Sequence, residues 1–251
     1  MSPIAKPFIN GRWLSPEGRD RLPVINPYTG QKIGERIICT PADVDEALQA
    51  AYEAREKVAA IPAYERAALL KRAAERLKKE KQRLAELISM EIGKAFKNTL
   101  EEVLRSIETL EISGEEAKRL FGETLPGNAS PRGVNALAST IRVPVGVVAA
   151  ITPFNAPLNL ICHKIGPSFA AGNSTILKPA PQASLIATEL LTLLLEEGWP
   201  EEAINMVLGG AECGQQIVKD RRVKVISFTG GYMAAQNICQ LAGMKKVLLE
   251  L

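Results

Sequence analysis

The stretch VGVVAAITPFNAPLNLI, residues 145–161, decides the fold. Its first seven residues are almost wholly apolar and end at Ile151. The pattern breaks over Thr152, Pro153, Phe154 and Asn155, and a helical spacing begins at Pro157 and runs to Ala171. A short apolar strand feeding directly into a helix is the opening of a βαβ unit. The same alternation continues downstream. STILK (174–178) reads as a strand, after Gly172-Asn173 caps the preceding helix. Ser184 to Glu197 reads as a helix stopped by Gly198-Trp199-Pro200. INMVL (204–208) is a strand, Cys213 to Lys219 a short helix, VKVISF (223–228) a strand, Tyr232 to Ala242 a helix and KVLLEL (246–251) a final strand. Strands alternating with helices predict right-handed crossovers and a parallel sheet of the α/β class. Their near-continuous apolar character predicts burial on both faces. Glu250, inside such a strand, then reads as a buried carboxylate, which is costly unless it is paired, protonated or in use.

Working outward, residues 1–40 read as short strands and turns. Asn10-Gly11 is a hairpin signal and Asn26-Pro27 starts a turn. A helix begins at Pro41. After Pro62 the apolar positions Leu70, Ala73, Ala74, Leu77, Leu84, Leu87 and Ile88 predict one long amphipathic helix, its basic face solvated. A third helix is expected from Lys97 to Phe121. The segment 122–145, rich in Gly, Pro, Asn and Ser, predicts an excursion in the form of a β-hairpin.

The 251 residues suffice for one large domain or two small ones. With 46% hydrophobic and 24% charged residues, the composition is that of a globular chain with a real core. The net charge of +3 is too balanced for a nucleic-acid partner, and 5% aromatics supply no stacking platform. No apolar run reaches the roughly 18 residues of a membrane span, and the N-terminus has no signal-peptide pattern. Cys39, Cys162, Cys213 and Cys239 form no CxxC pair, and His163 is the single histidine, so no metal site is expected. His163 reads as packed or on a helix surface. Scattered thiols point to a reducing, cytoplasmic setting.

In an open α/β sheet, ligands bind beyond the carboxyl ends of the strands. There the sequence places Thr152-Pro153-Phe154-Asn155, then Lys178-Pro179-Ala180-Pro181, then Gly209-Gly210, then Phe228-Thr229-Gly230-Gly231, and finally Glu250. An amide, an ammonium, two glycine pairs and a carboxylate therefore share one edge. Each has a plain alternative. Asn155 could cap the helix at Pro157, Lys178 could lie on the surface, FTGG could be a tight turn, and Glu250 could be a capping or frayed-end residue. Glycines between a strand and a helix can also admit a phosphate to backbone N–H groups. Neither GxGxxG nor a P-loop is present.

Taken together, ITPFNAPLNL (151–160), GPSFAAGNSTILKPAP (166–181), VISFTGG (225–231) and KKVLLEL (245–251) resemble the aldehyde dehydrogenase superfamily, and the resemblance covers essentially the whole chain. It implies a Rossmann-like parallel sheet flanked by helices, preceded by N-terminal helices. Residues 1–121 and 146–251 would form the dinucleotide-binding domain, with 122–145 as a hairpin oligomerisation arm. The family oxidises aldehydes with NAD or NADP: a cysteine thiolate attacks, hydride passes to the nicotinamide, and water hydrolyses the thioester. By resemblance, Asn155 helps hold the oxyanion and Glu250 is the general base. Lys178 contacts the adenosine ribose, and Phe154 stands where the family has an aromatic beside the cofactor or substrate passage. Thr152, Pro153, Pro179, Ala180, Pro181, Gly209, Gly210, Phe228, Thr229, Gly230 and Gly231 complete the cofactor set.

Three departures carry weight. Pro181 replaces a glutamate that in many NAD-preferring members excludes a 2′-phosphate, so NADP as well as NAD is expected. Gly231 replaces a serine that bonds the pyrophosphate, and Ala235 replaces a glycine. The family's nucleophile follows the glutamate by a few dozen residues, in a separate catalytic domain. A chain ending at Leu251 is expected to lack it and to be inactive alone, and none of the four cysteines stands in that context. The expected role is the N-terminal part of an enzyme acting on a small oxygenated or acidic aldehyde, in a homo-oligomer joined through the arm. The alternatives are a dinucleotide-binding or oligomer-joining module without catalysis and, less favoured by FTGG and LEL, a reductase of acyl phosphates. An exposed strand edge is expected to make the isolated chain self-associate.

Overall fold

The computed structural model describes residues 3–251. The N-terminal region is built from β1 (Ile4–Ala5), β2 (Phe8–Ile9), β3 (Arg12–Trp13), β4 (Arg21–Ile25) and β5 (Lys32–Ile37). The turn between β2 and β3 is the one expected: Asn10 at φ 51° and Gly11 at φ 73° are both left-handed, the geometry that a two-residue hairpin requires. Asn26 folds its own turn by accepting from the amides of Tyr28 and Thr29.

Four helices follow: α1 (Pro41–Ala59), α2 (Ala63–Lys79), α3 (Lys81–Ile92) and α4 (Phe96–Ala117). Thr40 and Asp43 close a capping box at the start of α1, with Pro41 at its first position. The long helix expected after Pro62 is two helices. The chain breaks at Glu80, which ends α2 and precedes α3. Leu77 and Leu84 are seven residues apart, so their spacing allows a continuous helix. Both helices lie against α4 and against the helix that follows Lys178, and α2 also meets the helix that starts at Pro157. The excursion is a hairpin, β6 (Thr124–Pro126) against β7 (Leu137–Ser139), exposed along its length.

The remainder alternates as the sequence predicts: β8 (Val147–Ile151), α5 (Pro157–Ala170), β9 (Ser174–Lys178), α6 (Ser184–Glu196), β10 (Ile204–Met206), α7 (Ala211–Lys219), β11 (Val223–Thr229), α8 (Tyr232–Ala242) and β12 (Lys246–Glu250). The strands run parallel in the order β12-β11-β8-β9-β10, and β2-β3 extend the sheet antiparallel beyond β10. From β8 the chain winds outward first to β9 and β10, then to β11 and β12. That is a doubly wound order, with its crevice at the carboxyl ends of the strands.

Side chains alternate across the sheet with period two, which separates two cores. Ala150 and Leu177 pack with α2 to α6 on one face. Ala149, Ile151, Ile176, Ile226 and Phe228 pack with α1, α7 and α8 on the other. The strands β8, β9 and β10 are buried throughout, as expected, but β12 is not. It is an edge strand, exposing Leu248 and Leu249, and Glu250 is exposed with it. The buried carboxylate expected there is therefore replaced by one at a partly solvated edge.

Candidate functional site

The two faces of the sheet carry two different sets of groups. On the face of α7 and α8, a cavity of about 170 Å³ opens between the two helices, lined by Ile151, Lys178, Gly214, Phe228 and Ile238. Lys178 lies at the end of β9 with only 7% of its surface exposed, so it is no surface lysine. Its stem packs toward Gly214, and its ammonium makes no hydrogen bond among the described residues. Burial pushes that ammonium below the ordinary lysine value, while neighbouring Cys213 acts in the other direction. A buried, unpartnered cation at a cavity wall is suited to an incoming ligand with hydroxyl or phosphate oxygens.

The glycine pairs stand just before the two helices whose residues line this cavity. Gly210 precedes α7 and Gly231 precedes α8, and neither helix has a side-chain cap. Their first-turn amides are thus free for an acceptor. Gly230 is required sterically, because a Cβ there would lie 2.5 Å from Cζ of Phe228. Gly231 is in open space, so crowding does not account for the missing serine. Pro179 and Ala180 are buried after β9, and Pro181 opens a single 3-10 turn, Pro181–Ala183. Thr152 is buried and its hydroxyl has no partner among the described residues, while its amide bonds the carbonyl of Lys178. Pro153 is partly buried beside it.

On the opposite face, that of α4 and α5, the ammonium of Lys164 donates to the Thr229 hydroxyl at 2.8 Å and to the Ser227 hydroxyl at 3.3 Å. Thr229 in turn donates to Oε2 of Glu250 at 2.9 Å. Ammonium, hydroxyl and carboxylate thus form one continuous path. Thr229, expected with the cofactor residues, turns its hydroxyl away from the cavity that Phe228 lines, because adjacent strand residues face opposite ways. Burial lowers Lys164 from its ordinary value and the Glu250 charge raises it. His163, next along α5, sits at the surface with Nε2 3.3 Å from the Thr109 hydroxyl. Burial lowers its imidazole, again opposed by Glu250.

Asn155 is exposed in the loop between β8 and α5 and does not cap that helix. The capping position is Ala156, without a side-chain bond. Phe154 is 50% exposed and lines a different cavity, of about 310 Å³, with Arg36, Glu91 and Gln182. It is not gathered with Lys178 and Phe228. Sequence reasoning missed Lys164, whose signal was a lysine inside a mostly apolar helix, PLNLICHKIGPSFA. Three of the four cysteines are poor nucleophiles, and the fourth, Cys239, is exposed on α8. Burial pushes Cys213 up to about 11, Cys39 up to about 12 and Cys162 higher still, the reverse of what a reactive thiolate needs. No cluster of three or more His, Cys, Asp or Glu side chains that could hold a metal occurs among the described residues.

The aldehyde dehydrogenase family model matches residues 13–251. The chain is 40% identical over 245 residues to 3-sulfolactaldehyde dehydrogenase of Priestia megaterium, covering 97% of this chain and 50% of that protein. It is 38% identical over 252 residues to lactaldehyde dehydrogenase of Methanococcus vannielii, covering 97% and 52%. Among solved structures, NADP-dependent glyceraldehyde-3-phosphate dehydrogenase from Bacillus halodurans, complexed with NADP, superposes with a TM-score of 0.96 at 34% identity, over 100% of this chain and 53% of that one. The chain spans about half the length of the curated relatives it matches.

Proposed function

This chain belongs to the aldehyde dehydrogenase family, and from that premise we propose that it is the dinucleotide-holding part of an NAD(P)-dependent enzyme that oxidises a small aldehyde to its acid. The carrying observation is Lys178, buried and unpartnered at the wall of the cavity between α7 and α8. Lys178 would bond the ribose of the adenosine. Amides following Gly210 and Gly231 would receive the phosphates, with Gly230 kept small by Phe228. Pro181 offers no carboxylate against a 2′-phosphate, which supports use of NADP as well as NAD. With the adenosine end held there, the nicotinamide of the dinucleotide would supply a hydride acceptor.

The chain's own groups then divide the remaining work. Asn155 would donate its side-chain amide to the developing oxyanion. Glu250 would take a proton as general base, and the path through Thr229 to Lys164 would hold its carboxylate in place and stabilise its charge. The attacking thiolate would come from outside the four cysteines of this chain. Relatives named for sulfolactaldehyde and lactaldehyde support a small, oxygenated or acidic aldehyde as substrate. Residues 1–121 and 146–251 would make the dinucleotide-binding domain. The hairpin at 122–145, which exposes Leu137, Ile141 and Val143, would join copies of the chain. No described helix is long and apolar enough to cross a membrane; a cytoplasmic setting is our reading of the scattered free thiols.

The test is aldehyde-dependent reduction of NAD(P) by the complete natural protein and by the 251-residue chain. Turnover by the complete protein that falls by about a hundredfold or more in Glu250→Gln, with none by the chain alone, is expected. Thiol-sensitive turnover by the chain alone would overturn the assignment of the nucleophile.

A further inference from the structure

We propose that Glu102 and Lys94 form a clamp that positions Asn155 for the reaction through its main chain. This rests on the reading of Asn155 as the oxyanion donor. The Asn155 side chain makes no hydrogen bond among the described residues; only its backbone carbonyl is engaged. A donor aimed at a charge that appears in the transition state has to be placed beforehand. For Asn155 the contact that the structure supplies is to the backbone.

Locally the backbone has little to hold it. Ala156 offers no side-chain acceptor at the start of α5, and Pro157 fixes one φ angle without contributing an N–H. The amides of Leu158 and Asn159 would be left as orphan donors of the first turn. Both are met from another helix: Oε1 of Glu102, in α4, accepts from them at 3.0 and 3.5 Å. Its second oxygen, Oε2, accepts from the Lys94 ammonium at 2.7 Å. The same ammonium donates to the Asn155 carbonyl at 3.2 Å. Lys94 is itself anchored by the Ser89 hydroxyl, which donates to its carbonyl at 2.7 Å. One carboxylate and one ammonium therefore close a ring around the backbone from 155 to 159.

The Glu102 side chain is only 3% exposed. A carboxylate so buried is costly unless it is fully paired, and here the helix N-terminus and Lys94 satisfy it together. Capping of α5 alone would need only Oε1. The link from Oε2 through Lys94 to the Asn155 carbonyl is what a plain cap would not require, and it ends on the residue whose amide must be aimed.

Two experiments test the clamp. In the complete natural protein, Lys94→Met is expected to lower kcat by about ten- to a hundredfold with KM for the dinucleotide unchanged, and Lys94→Arg to restore most of the loss. In an Asn155→Ala background, Lys94→Met should cause no further loss, because both changes remove one function. Equal losses in the two backgrounds, or an unchanged kcat, would overturn the proposal. In the 251-residue chain, the amides of Leu158 and Asn159 should exchange slowly with solvent. Glu102→Ala should speed them by about tenfold or more, while Glu102→Gln, which keeps an acceptor, should not. Rapid exchange in the unsubstituted chain would remove the clamp itself. That result is independent of whether the protein oxidises aldehydes, whereas absence of activity would remove the role of Asn155 and leave the clamp as a cap.

Discussion

Lys178 holds an ammonium where burial works against it, which separates stability from binding at a single residue. Its native pKa lies below its unfolded one, so the unfolded chain binds more protons and stability climbs as pH rises through that interval. Lys178→Met is therefore expected to raise the melting temperature at neutral pH, with the gain fading as pH approaches about 10.4. The same change should weaken NAD(P) binding by about tenfold or more, as a charge-assisted bond is lost. Gly230 is constrained in a different way: Gly230→Ala places a methyl 2.5 Å from the Phe228 ring. It should cost about 1–3 kcal/mol in a urea titration, because the ring cannot move without opening the cavity wall. Lys178 and Glu250 were legible in the sequence because each ends a strand, where ligands gather. Thr229, which Lys164 bonds, lies 65 residues from it, and the Leu158 amide that donates to Glu102 lies 56 residues away, so no local spacing reveals either pair.

Among the elements, the start of α6 is held by Glu91 of α3, whose carboxylate accepts from the amides of Leu185 and Ile186 at 2.6 and 2.9 Å. Burial pushes Glu91 up from 4.5 to about 7, against those amides, which favour the anion. A carboxyl with a raised native value holds its proton more tightly in the folded chain. Its contribution to stability is thus fully present below about 4.5 and is lost as pH rises through 7. Glu91→Gln keeps an acceptor and should flatten that decline in denaturant midpoints measured across this range; an unchanged slope would mean that Glu91 is ionised throughout. The alternation of strands and helices after residue 145 was readable because apolar runs and Gly or Pro punctuation repeat there. The break at Glu80 was not, since the charged residues around it carry no Gly or Pro stop signal and the apolar spacing continues across it.

At the scale of the molecule, two surfaces are left uncovered in this chain. The hairpin exposes Leu137, Ile141 and Val143, and the edge strand β12 exposes Leu248 and Leu249 beside unpaired backbone groups. The 251-residue chain should therefore sediment as an oligomer or aggregate, and Leu137→Asp with Ile141→Asp should shift it toward the monomer. A monodisperse, cooperatively melting monomer before substitution would contradict this. The cavity between α7 and α8 should take the dinucleotide, and titration calorimetry of this chain with NAD and with NADP measures that most directly. Saturable heat with one site per chain for at least one of them, lost or weakened by about tenfold in Lys178→Met, is the predicted result. No heat with either dinucleotide, or binding indifferent to Lys178, would contradict it.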